Sequence, residues 1–398
     1  MSKWKQTVPD SWVHETPQSC FPVAIPDIAR QAGWKPEPLD LRIRGVCHVR
    51  RPIDQFFRSS DGGLYALGRH LFEIDRHDLT ARWIDEPALM EDRILDVVAG
   101  RVLFAPWDSE APGLTLSGRP VPVPESLGPA CMSCTRPGSP ITAVGFAFGL
   151  AALDHNGDVA AVCDLRGRVD SPDLRQWKQS RIILLDDRVI LEGDEVLIWD
   201  YVSDALLPIA RRADVECVLG SQFALRRRNK RFSILETSGK VSYRWVDQNS
   251  DHVEHAALWE GGLWMACFNP SPYREQNGGG LTQFTYKFDG CVARGGIQYR
   301  YYVGDLRVRG AVDARDLRGS FLALSGGQIV FIDWATGYDE LVARAENSEI
   351  WALYWSESSQ QLLVAGWYGD VYAIDLKQTM GDFHASLARW KEADEIGE

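Results

Sequence analysis

The stretch "CMSC" at 131–134 places Cys131 and Cys134 in a CxxC unit. Such a pair does redox chemistry when a helix start lowers one thiol pKa, or supplies half of a zinc site when two more ligands lie nearby. No second CxxC or neighbouring His pair accompanies it, so an ordinary loop is expected. "DHVEH" holds His252 and His255. A spacing of three lets two imidazoles share a metal on a helix but sends them to opposite faces of a strand, and the surrounding pattern is strand-like. "DHNGDV" at 154–159 opens like a calcium loop, yet Val159 stands at its sixth position and no Glu follows at the twelfth. Asn156-Gly157 there predicts a hairpin with a type I′ turn instead.

Positive charge concentrates in "RRRNKR", with Arg226, Arg227, Arg228, Lys230 and Arg231 between the strand-like runs "QFAL" and "FSIL". Two readings stand: contact with phosphate or another anion through charge, or a solvated hairpin tip that discourages edge pairing. "IQYRYYVGDLRVRG" at 297–310 interleaves Tyr with Arg, which suits base stacking or a buried Tyr face behind a wet Arg face. No GxSxG, HExxH, P-loop or dinucleotide fingerprint occurs, and no cofactor is implied.

The elements that must position these residues show themselves through repetition. "GRHLFEID", "GDVAAVCD", "GDEVLIWD", "GQIVFID" and "GDVYAID" each run from Gly through a short apolar strand to Asp75, Asp164, Asp200, Asp333 and Asp375. "NKRFSILE" and "LTQFTYKFD" are weaker copies ending at Glu236 and Asp289, and "GLTLSG" at 113–118 fills an eighth place. The spacings of 89, 36, 133 and 42 residues between the strong anchors fit two, one, three and one units. A unit of about 40–45 residues with several short strands predicts blades stacked in a ring. A lone four-stranded blade leaves both faces bare, and a ring covers them. The expected fold is an all-β propeller of eight blades, with seven as the alternative. "LDLRIRGVCHV" at 39–49 is expected to complete the last blade and close the ring.

"GDEVLIWD" resembles the Gly…Trp-Asp strand of WD40 repeats, and the set over about 40–376 is similar to the WD40-like propeller superfamily at the level of pattern. That resemblance implies a propeller and transfers no functional residue.

Outside the ring, 1–38 is Pro-rich and expected to lie on the propeller as an arm. The tail 377–398 is expected to contain a helix, with Phe383, Leu387 and Trp390 along one face for its own propeller or a partner. Pro-rich segments at 118–140 and 269–280 read as long loops.

Composition limits the function classes. The chain has 398 residues, 45% hydrophobic and 25% charged, with a formal net charge of -12, which argues against binding nucleic acid over the whole surface. No apolar run reaches the ~20 residues of a membrane helix. "MSKWKQTVPD" lacks an apolar signal core, and most of the eight Cys sit singly in strand-like runs, so a reduced, cytoplasmic protein is expected. The leading expectation is a non-catalytic scaffold for protein partners, contacting them through Trp107, Tyr273, Arg274, Trp367 and the basic cluster. The alternatives are a propeller hydrolase or lyase with a metal or acid pair at its central channel, and nucleic-acid or anion binding through the Arg-rich loops.

Overall fold

The computed structural model describes residues 41–48, 53–68, 71–75, 80–84, 92–106, 110–136, 138–177, 180–186, 188–227, 230–246, 252–270, 279–289, 292–300, 307–324, 327–335, 339–344, 350–366 and 370–376. These form eight four-stranded antiparallel sheets. Seven sheets take four consecutive strands each: blade 1 (53–83), blade 2 (92–120), blade 3 (130–164), blade 4 (181–211), blade 5 (213–246), blade 6 (252–300) and blade 7 (308–344). Blade 8 takes three strands from 350–376, and Leu41–His48 pairs with Asp370–Leu376 as the fourth. The chain is an eight-bladed β-propeller closed by a strand from its other end. Sequence and structure agree on both points.

Middle strands are apolar on both sides because both sides are covered. Thr142–Phe146, Gly149–Leu153 and Gly319–Leu324 are buried at every position. An outer strand such as Ala205–Arg211 is largely open to solvent instead. Each core cluster bridges two blades. Leu103 and Phe146 belong to one cluster between blades 2 and 3, and Trp177 and Trp199 to one across blades 3 and 4. Ile53 and Phe72 pack with Leu363 and Val371 across the closing seam between blades 1 and 8. Burying each such large side chain stabilises the ring by roughly 1.5–3 kcal/mol.

The first strand of each blade lies innermost, and at six of the eight seams it rests against the first strand of the neighbouring blade. In seven of the eight blades its pairing with the second strand slips by one residue near its start, as between Ile53 and Gln55 or Val215 and Cys217. A bulge there sharpens the twist that lets eight strands converge on one axis.

Two third strands end on an acidic turn cap. Asp200 Oδ1 accepts hydrogen bonds from the N–H groups of Val202 and Ser203, both at 3.1 Å, at the corner between the third and outer strands. Asp154 does the same for Asn156 and Asp158 at 2.8 and 2.9 Å. The third-strand anchor of blade 3 is therefore "GLAALD", ending at Asp154, and "GDVAAVCD" is the outer strand one place later. The blade count survives this slip because both copies lie in one blade.

Three expectations need correction or fall outside the described residues. The segment 118–140 is not a long loop: it supplies the outer strand Arg119–Pro120, a 3-10 turn at Glu125–Leu127 and the inner strand Ala130–Thr135. At Asn156-Gly157 only Gly157 has positive φ, 79°, so the loop is a turn with one left-handed Gly rather than type I′. The C-terminal helix and the Pro-rich arm lie outside the described residues, and the helix is not borne out.

Candidate basic cleft on blade 5

The basic cluster sits at the turn between the second strand Gln222–Arg227 and the third strand Arg231–Glu236 of blade 5. Lys230 takes a left-handed conformation, φ 60°, and its N–H donates to the Arg227 carbonyl at 2.9 Å, which closes the turn. Arg227 pairs with Ala213 at the start of the inner strand, so the turn lies at the end of the ring where inner strands begin.

Pairing divides the Arg residues into two kinds. Arg226 reaches inward between two carboxylates, bonding Glu216 and, at 3.1 Å, Asp214. Burial pushes the Glu216 carboxyl above its ordinary range, and Arg226 draws it part of the way back. Arg226 therefore neutralises a buried charge and is unavailable to a ligand. Arg227 and Arg231 stand apart from that pair. Together with Arg244 they line a cleft of about 360 Å³ whose other walls are Phe232, Ser233 and Trp245. Arg244 and Trp245 come from the outer strand Val241–Val246, where Ser233 faces Arg244 and Phe232 faces Trp245. Among the described residues none of Arg227, Arg231 and Arg244 has a carboxylate partner.

The aromatic wall is fixed from behind. Trp245 stacks on Phe232 with centroids 5.3 Å apart and planes 14° apart, and lies 5.1 Å from Tyr286 of blade 6. Its indole N–H is buried and has no acceptor among the described residues. Such an orphan donor costs about 1–3 kcal/mol.

The other chemical candidates resolve differently. Cys131 and Cys134 lie on the inner strand of blade 3, and burial pushes each thiol up to about 11, the reverse of what redox or zinc chemistry requires. His252 and His255 lie on the inner strand of blade 6. His255 bonds Asp313 of blade 7 at 2.9 Å; Ser320 donates to Asp313 at 2.9 Å and accepts from Trp334 at 2.8 Å. This Ser, His and Asp set is a clamp between blades. The same ring nitrogen, Nε2, faces both Asp313 and Ser320, the latter at 3.4 Å, whereas a nucleophilic relay needs opposite ring nitrogens. Ser320 is also fully buried. In the Tyr/Arg stretch, Arg307 lies over the Phe268 ring at 4.5 Å. Among the described residues, no three His, Cys, Asp or Glu side chains form a metal-sized group.

Of the contact residues expected from sequence, Arg227 and Arg231 meet in the cleft, Arg226 does not, and Lys230 shapes the turn. Arg228, Trp107, Tyr273, Arg274, Trp367, Phe383, Leu387 and Trp390 lie outside the described residues. Arg244, Trp245 and Phe232 are additions from the structure. A hairpin register drawn from "RFSILETSGKVSYRWV" around Ser238-Gly239 would have brought Arg244 opposite Ser233.

No protein-family profile matches the chain, and no curated protein does. Among solved structures it is similar to the computationally designed Ika8 protein, with TM-score 0.52 and 11% identity over 83% of this chain and 98% of that one. It also matches the WD40 domain of Neurospora crassa Pan2, with TM-score 0.47 and 9% identity over 83% of this chain and 90% of that one. At these identities the likeness concerns the fold. Matching solved chains number 1395, so shape alone selects no function. Among the described residues no helix is long and apolar enough to cross a membrane.

Proposed function

We propose that this propeller is a non-catalytic interaction scaffold that holds an acidic segment of a protein partner in the blade 5 cleft. The observation that carries this reading is the trio Arg227, Arg231 and Arg244, which lines a concave site without carboxylate partners among the described residues. The protein as a whole carries a formal charge of -12, so the cleft is a local reversal of its field. Exposed Arg beside aromatic rings is the composition of binding hot spots. Among the described residues that line the cleft none is a general base, which supports a binding role over a catalytic one.

The test is fluorescence anisotropy of a labelled oligoglutamate peptide titrated with the full chain. Saturable binding that weakens as salt rises is expected, with affinity falling on the order of tenfold when Arg227, Arg231 and Arg244 are all replaced by Gln. Equal binding by the triple variant, or none by the native chain, overturns the proposal.

A further inference from the structure

We infer that the blade 5 cleft is built for a phosphate monoester carried on a peptide. This rests on the reading of the cleft as an acidic-partner site and narrows it to one anion. A side-chain carboxylate brings one negative charge and two oxygens, which a single guanidinium fork satisfies. Three forks line this cleft. A phosphate monoester brings a charge of about −1.5 to −2 and three terminal oxygens, and so engages more than one fork at once. Each guanidinium is a planar fork of donors, which suits bidentate bonding to phosphate oxygens.

The rings argue against nucleic acid as the carrier. Unspecific single-strand binding needs an aromatic face on which a base can stack. Phe232 is fully buried and stacked on Trp245, and Tyr286 and Phe288 crowd Trp245 at 5.1 and 6.2 Å. These rings are committed to packing at the seam between blades 5 and 6. The position suits a peptide-borne group, because Arg227, Arg231 and Arg244 are exposed.

Calorimetric titration of the full chain with a short peptide bearing one phosphotyrosine or phosphoserine is the test. The unphosphorylated peptide, the same peptide with Glu at that place, and a single-stranded RNA serve as comparisons. The phosphopeptide is expected to bind at least tenfold more tightly than the Glu peptide. Arg231→Gln and Arg244→Gln should each weaken it severalfold. Equal affinity for the Glu peptide overturns the phosphate inference and leaves the acidic-partner reading standing. Binding of no anionic peptide overturns both, and preference for RNA overturns the peptide assignment. Thermal melting of each variant shows whether a loss of binding reflects lost fold.

Discussion

Asp96 and Asp313 are both acids at the inner wall, and their surroundings push them in opposite directions. Burial raises the Asp96 carboxyl to about 6; contacts from Thr135, the Val97 N–H and Ser133 offset only part of it. Burial also raises Asp313, but bonds from His255 and Ser320 and the nearby charges of His255 and Arg315 outweigh it, so its carboxyl lies below the ordinary range. The signs follow. Asp96 binds a proton more tightly folded than unfolded, so its contribution is fully present below pH ~4 and is lost as pH rises towards about 6. Asp313 contributes stability above its unfolded pKa, which is lost as pH falls through its lower folded value. Denaturant titrations from about pH 3 to 8 should show Asp96→Asn flattening the decline between roughly pH 4 and 6, where a single acid imposes at most about 1.4 kcal/mol per pH unit. An unchanged slope in that variant would remove Asp96 from the account. None of this is legible in sequence: an Asp in "DRILDVV" looks solvent-facing until Ser133 and Thr135 of the next blade close over it.

Elements here are strands joined by turns too tight for a larger residue. A Cβ at Gly262 would run into the Tyr286 carbonyl oxygen on the adjoining third strand. Backbone yields less readily than side chain, so Gly262→Ala is expected to cost about 1–3 kcal/mol, measured as a lowered denaturation midpoint. Native stability in that variant would mean that the two strands separate freely. Arg226→Ala should also destabilise, because it strands Glu216 and Asp214 without their cation, while Arg227→Ala, beside it in the same strand, should not. Midpoints for this adjacent pair separate the structural cation from the binding one. The strand pattern and the hairpin between Arg227 and Arg231 are legible in the sequence, since each depends on neighbours a few residues away. The inner strand Ala130–Thr135 reads as loop because the prolines of "RPVPVPESLGP", just before it, dominate the local composition. Its strand character comes from pairing with Thr142–Phe146, beyond a second Pro-containing turn.

For the complete ring, closure depends on a partner strand roughly 320 residues away in the chain, a separation whose entropy cost grows only slowly with length. Leu41–His48 forms seven residue pairs with Asp370–Leu376 and leaves blade 8 with a covered edge. Removal of residues 1–48 should lower the melting temperature by several degrees and promote aggregation through the bared strand, followed by calorimetry and light scattering. A truncated chain that melts like the native one would show that the seam between blades 1 and 8 holds through side chains alone. The cleft is also a product of this scale, since blade 6 supplies the Tyr286 and Phe288 rings behind Trp245.

From the amino-acid sequence alone follow the class of fold, the number of blades and the strand that closes the ring. Periodicity, apolar runs and turn residues are local, and stacking follows from them once each blade has two faces to cover. Packing in three dimensions settles which charges remain free. Arg226, Arg227 and Arg231 are alike as residues; one meets Glu216 and Asp214 from an adjacent strand, while two meet Arg244 from another. Charge compensation depends on distance in space, and the residues that set those distances are up to 17 positions apart in the chain.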